Sequence, residues 1–208
     1  NGDLFGAENS TDRDVPEELN WMREGHHYGF PWRLADADNP ERSPDYDPSE
    51  DLLVGVVSRD SERNDPDFPP PPEGVVFTDP VVSVGPDADS FRDPITGEVE
   101  DASDLGFTIS TFTAHRSPLG LVFDVEGALS PEFRFDGFVL SWTEGDPRGD
   151  SKGPFKDPSE DLLHLDLMKL DDHYEVRATA IVDNFQGPVD AEMIGNKIYV
   201  ISTNESHV

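Results

Sequence analysis

Tyr174-Glu175-Val176-Arg177-Ala178-Thr179-Ala180-Ile181-Val182 alternates apolar and polar side chains along much of its length. A strand turns successive side chains to opposite faces, so a period of two predicts a half-buried β-strand here. Downstream, Lys197-Ile198-Tyr199-Val200-Ile201-Ser202 is mainly β-branched and aromatic, and Gly195-Asn196 turns into it. Upstream, short apolar runs predict strands at Phe107–Thr113, Leu119–Asp124, Gly137–Thr143 and Leu162–Leu167, with a single helical turn as the alternative over Pro158–Leu165. No segment has the helical period over a useful length with good caps. The expectation is an all-β chain of short strands.

The first 34 residues add strands at Leu4-Phe5 and within Glu18–Arg23, then the aromatic run His26-His27-Tyr28-Gly29-Phe30-Pro31-Trp32, read as a loop packed on a core. Residues 35–105 read differently, with Pro69-Pro70-Pro71-Pro72, many Asp and frequent turn signals. They are expected to form a long irregular insertion within a single domain spanning 1–208. The opening Asn1-Gly2-Asp3-Leu4-Phe5-Gly6 reads as a turn into a strand already under way, which leads us to expect further sequence upstream. No leader is visible in it.

Fifteen basic residues face 45 acidic ones, a net charge of −30. Such a field repels nucleic acid and anionic membrane surfaces, and it favours cations with oxygen ligands, calcium among them. Adaptation for solubility explains the same charge. The absence of Cys excludes disulfides, thiolate metal sites and cysteine nucleophiles. No apolar run is long enough to cross a membrane as a helix. The six His form no zinc-type spacing. Gly149-Asp150-Ser151-Lys152-Gly153 matches a nucleophile-elbow pattern, but prolines flank it where strand and helix are required, so it reads as a chance match. Trp21, Trp32 and Trp142 suit either core packing or stacking on sugar rings.

Three stretches carry a family resemblance. Gly6-Ala7-Glu8-Asn9, Asp12-Arg13-Asp14, Glu17-Glu18-Leu19-Asn20 and Gly25-His26-His27-Tyr28-Gly29-Phe30-Pro31 together resemble the glucose/sorbosone dehydrogenase family. His115-Arg116-Ser117-Pro118-Leu119-Gly120-Leu121-Val122-Phe123 resembles the opening of a later blade in that family. Gly187-Pro188-Val189-Asp190-Ala191 with Lys197–Ser202 resembles its last blade. The resemblance covers roughly a quarter of the chain. It implies a six-bladed β-propeller of which this chain supplies about three blades. It also implies a periplasmic or extracellular protein that binds calcium and pyrroloquinoline quinone (PQQ) and oxidises a sugar at the anomeric carbon to a lactone. The general base would lie upstream of Asn1, and the electron acceptor is open.

By the same resemblance, Glu18, the main-chain carbonyl of Tyr28 and Asp38 would bind a structural calcium, with Asp36 as the neighbouring alternative. Asn9 and Ser10 would lie near the cofactor, and Arg116 or Lys152 would supply a cation to the quinone's carboxylates. The family's Arg beside the Pro-Val-Asp step is missing at Gln186-Gly187-Pro188-Val189-Asp190. These 208 residues alone are therefore expected to show no dehydrogenase turnover. Two alternatives remain: a non-catalytic, calcium-stabilised propeller that binds carbohydrate or a protein partner, and a lactonase-like propeller hydrolase.

Overall fold

The computed structural model describes residues 2–54, 64–142, 155, 157 and 159–203. The described residues are mostly β, with 39% strand and 4% helix. β1 (Leu4–Glu8) and β2 (Glu18–Met22) form an antiparallel hairpin. Two-residue strands β3 (Arg33–Leu34) and β4 (Ala37–Asp38) pair in a tight hairpin. Next come β5 (Val82–Ser83), the hairpin of β6 (Ser90–Arg92) and β7 (Val99–Asp101), and a single helical turn, α1 (Ala102–Leu105). The Asp101 side chain caps that turn by accepting the Asp104 N–H, and Gly106 closes it in the left-handed region.

The centre of the molecule is an antiparallel meander of β8 (Pro118–Phe123), β9 (Gly137–Ser141), β10 (Leu162–Lys169) and β11 (Tyr174–Val182). β12 (Pro188–Ile194) and β13 (Lys197–Ser202) form a separate hairpin. Period-two alternation gives the meander two apolar faces. Val139, Leu163, Leu165, Val176 and Ala178 pack toward Phe5, Leu19 and Trp21 of the first hairpin. Phe138, Leu140 and Leu162 pack toward Ala191, Met193, Ile198 and Val200 of the last. The meander is thus sandwiched between two hairpins, which is why every residue of its central strand β9 is buried. Each large apolar side chain withdrawn from water in this way contributes about 1.5–3 kcal/mol.

Gly120 makes one of these contacts possible. It adopts φ +55°, and a Cβ there would lie 2.8 Å from the Ala191 amide nitrogen and 2.9 Å from a Leu140 methyl. A β-carbon would hold β8 away from β12.

The strands expected from Leu119, Gly137, Leu162, Tyr174 and Lys197 onward are all present within a few residues. The helical alternative over Pro158–Leu165 gives way to strand from Leu162. Phe107–Thr113 is not a continuous strand; it makes single bridges, Ile109 to Ser83 and Phe112 to Glu17. Thr111 sits at φ +81°, which interrupts the ladder, and its hydroxyl accepts the Leu19 N–H and donates to the Val81 carbonyl. Residues 35–105, where they are described, pair and pack with the rest of the chain. β5 adds to the edge of the meander, parallel to β11, and Val81 and Ala88 enter the core. The sheets do not close into a barrel.

Candidate functional site

The register of the first hairpin sets Glu8 directly opposite Glu18. Residues opposite one another share a face of the ribbon, so both carboxylates project to the same side. Asn20, two residues beyond Glu18, shares that side, and the residue opposite it is Gly6.

Glu18 is only 4% exposed. Its Oε1 accepts the Ala35 N–H at 2.7 Å, and its Oε2 accepts the Asn20 side-chain amide at 2.9 Å. Burial dominates its titration and, with the repulsion of Glu8, pushes its pKa up to about 7 against the opposing effects of Asn20, the Ala35 N–H and Arg33. Burial also raises Glu8. A cavity of about 310 Å³ opens on this face, lined by Glu8, Asn9, Ser10, Glu18, Phe30 and Leu34 among others. A second, of about 350 Å³, shares Glu8 and Phe30 with it and is also lined by Asn20, Tyr28 and Gly29.

The structure therefore brings Asn9, Ser10 and Glu18 to one cavity and Tyr28 to its neighbour. The Tyr28 hydroxyl is anchored away from ligand chemistry, donating to the Trp21 carbonyl at 2.7 Å and accepting the Arg23 N–H at 2.6 Å. Asp36 and Asp38 lie at the exposed β3–β4 hairpin, and neither lines these cavities. Asp38 pairs with Arg42 at 3.1 Å. Among the described residues no three Asp, Glu or His side chains gather as a metal-holding group. What the site offers a hard cation is the Glu8–Glu18 pair with neutral oxygens around it, and that donor chemistry fits calcium.

The quinone fits less well. Among the described residues no Lys or Arg lines either cavity. Arg116 is 3% exposed. Its guanidinium donates to Asp157 at 2.6 Å, to Asp161, and to the Ser141 hydroxyl at 3.1 Å. A ligand carboxylate would have to displace buried aspartates to reach it, so the sequence expectation of an available cation at Arg116 is corrected to a buried structural one. Lys152 lies outside the described residues, as does the Gly149–Gly153 match. The described cavity residues alone do not match three ligand carboxylates.

Glu17 escaped the sequence reading. It is 1% exposed, and burial pushes its pKa up to about 8 against main-chain hydrogen bonds from Ser117, Arg116 and Ser10 and the Arg116 charge. Its Oε2 is buried without a hydrogen-bond partner. Its signal was the doubled Glu17-Glu18 step, because neighbours on a strand face opposite ways and one of them must turn inward. Trp21 packs edge-on against Tyr174, and Trp32 donates to the Pro69 carbonyl at 2.7 Å. Both serve packing, whereas Trp142 is exposed. Searched against family models, curated proteins and solved structures, the chain matches none.

Proposed function

We propose that the chain is a calcium-binding module of a β-propeller of the glucose/sorbosone dehydrogenase type, a quinoprotein class that oxidises a sugar at its anomeric carbon to a lactone. The observation that carries this reading is Glu18: the residue singled out as a calcium ligand is buried on the same face as a second carboxylate, Glu8, at the mouth of a cavity it shares with Asn9 and Ser10. A four-stranded meander stacked between two hairpins is also what a blade and its two neighbours require. In this reading the module supplies sheet and cation site, and the quinone's carboxylates are met by cations outside the two cavities.

The test is to mix the chain with PQQ, calcium and an aldose and follow a dye acceptor. The expected result is no turnover. Robust turnover would contradict the assignment of the redox centre to groups beyond this cavity.

A second reading, a non-catalytic propeller that binds carbohydrate, is favoured by the cation-free lining and by the exposed ring of Phe30 beside two carboxylates, since sugars offer hydroxyl donors and an apolar face. Titrating aldoses and oligosaccharides against tryptophan fluorescence separates the two. Saturable binding without quinone supports the second reading, and no response supports the first.

A further inference from the structure

Several aromatic rings of this acidic chain are met by its own cations. Arg23 and Lys169 stand over Trp21 at 4.2 and 4.4 Å, Arg33 over Phe77 at 6.0 Å, and Arg92 over Phe155 at 5.5 Å. Phe91 and Phe107 differ: among the described residues no Lys or Arg stands over either ring. Both rings line a cavity of about 410 Å³ together with Asp93, Glu100 and Ile109, and among the described residues no basic side chain lines it.

The chain fixes both walls of this groove. Phe91 and Glu100 lie opposite one another in the β6–β7 hairpin, so ring and carboxylate share a face. Asp93, two residues beyond Phe91, continues that side, and its N–H donates to the Glu98 carbonyl at 2.9 Å. The second wall follows α1. Asp101 ends β7 and caps α1, and the Phe107 N–H donates to the Ala102 carbonyl at 2.8 Å. Asp89, just ahead of β6, accepts the Ser103 N–H at 2.9 Å and joins the two walls. Phe107 is 62% exposed, so the backbone rather than packing holds its ring at the groove.

The charges are unanswered. The Glu100 carboxylate has no hydrogen-bond or ion-pair partner among the described residues. The Thr96 and Ile95 N–H groups donate to the Asp93 carboxylate at 3.0 and 2.7 Å and hold it below the usual carboxylate range, so it stays ionised. Two carboxylates beside two uncovered rings suit a cation with a hydrocarbon skin. A metal ion of calcium type takes six to eight oxygens and gains nothing from the rings, whereas a quaternary ammonium meets ring faces with its methyl groups and carboxylates with its charge.

We propose that the groove between the β6–β7 hairpin and residues 106–109 binds an alkylammonium group, its methyls against Phe91 and Phe107 and its charge toward Glu100 and Asp93. This goes beyond the sugar-oxidising reading and does not depend on a cation at Glu18. The group has two sources: a free quaternary amine, or the trimethylated side chain of a lysine in a partner protein.

NMR titration of the isotope-labelled whole chain tests this with choline, with its uncharged carbon isostere dimethylbutanol, and with a short neutral peptide carrying one trimethyllysine. Saturable shifts at Glu100 and residues 107–109 are expected with an ammonium probe. Dimethylbutanol, Phe107→Ala and Glu100→Gln are each expected to weaken binding about 5- to 10-fold, the scale of a cation–π contact with its charge. Phe107 is exposed, so its truncation leaves the core intact. Glu192→Gln, on β12, removes the same charge elsewhere and is expected to leave the affinity unchanged. A peptide that binds tighter than choline makes a partner's lysine the source; one that binds no tighter makes it the free amine. No saturable shift with either ammonium probe, equal binding of dimethylbutanol, parent-like affinity in Phe107→Ala and Glu100→Gln, or an equal loss in Glu192→Gln would overturn the inference.

Discussion

Glu17 and Glu18 are adjacent in sequence, are both buried, and share a pH signature. In the unfolded chain both titrate near the ordinary 4.5, whereas in the fold burial pushes them to about 8 and about 7. Between those limits the folded chain keeps protons that the unfolded chain has released, so stability is lost as pH rises through the window. With divalent cations removed, the melting temperature is expected to fall from about pH 5 to about pH 8, and Glu17→Gln is expected to flatten the fall. A melting temperature that rises over this range, or an unaltered slope in Glu17→Gln, would contradict the burial argument. Arg116 gives a second test. Replacing it with Met strands Asp157 and Asp161, each with a further buried oxygen that already lacks a partner. Urea denaturation is expected to show a loss of about 3–5 kcal/mol, the scale of breaking a buried ion pair from one side. A near-neutral change would show the aspartates to be solvated.

At the scale of elements, the contact between β8 and β12 depends on a position with no side chain. Gly120→Ala is expected to cost roughly 1–3 kcal/mol, from positive φ and from a Cβ driven against Ala191 and Leu140. Equilibrium unfolding checks it, and a stabilised variant would mean that the meander and the last hairpin are not held at this distance. The strands themselves were largely legible, because β11 and β13 carry a period or a composition that only a pleated ribbon explains. The misread elements fail for stated reasons. Phe107–Thr113 has strand residues, yet Thr111 spends its hydroxyl on Leu19 and Val81, which a local pattern cannot reveal. β5 is two residues long, and its pairing with β11 spans about ninety positions, so no window contains the signal. The candidate site was half legible. Glu18, Asn9 and Ser10 were singled out only by their place in the motifs that carry the family resemblance, whereas Glu8 and Asn20 join them through a hairpin register, and Arg116 is buried by partners 41 and 45 residues away.

For the whole molecule, a charge of −30 destabilises the compact state through self-repulsion and draws cations to it. The described fold answers locally: carboxylates near Arg13, Arg92 and Arg116 are paired, while among the described residues no Lys or Arg lines the cavities of the Glu8–Glu18 face. Among the described residues no helix is long and apolar enough to cross a membrane. Thermal melting in calcium against chelator, for the parent and for Glu18→Gln, tests the proposed cation at Glu18 most directly. A ligand at a hundred times its dissociation constant stabilises the fold by about 2.7 kcal/mol, so the parent is expected to gain roughly 5–10 °C and Glu18→Gln to gain almost nothing. Equal melting temperatures with and without calcium in the parent, or the same gain in both proteins, would contradict it.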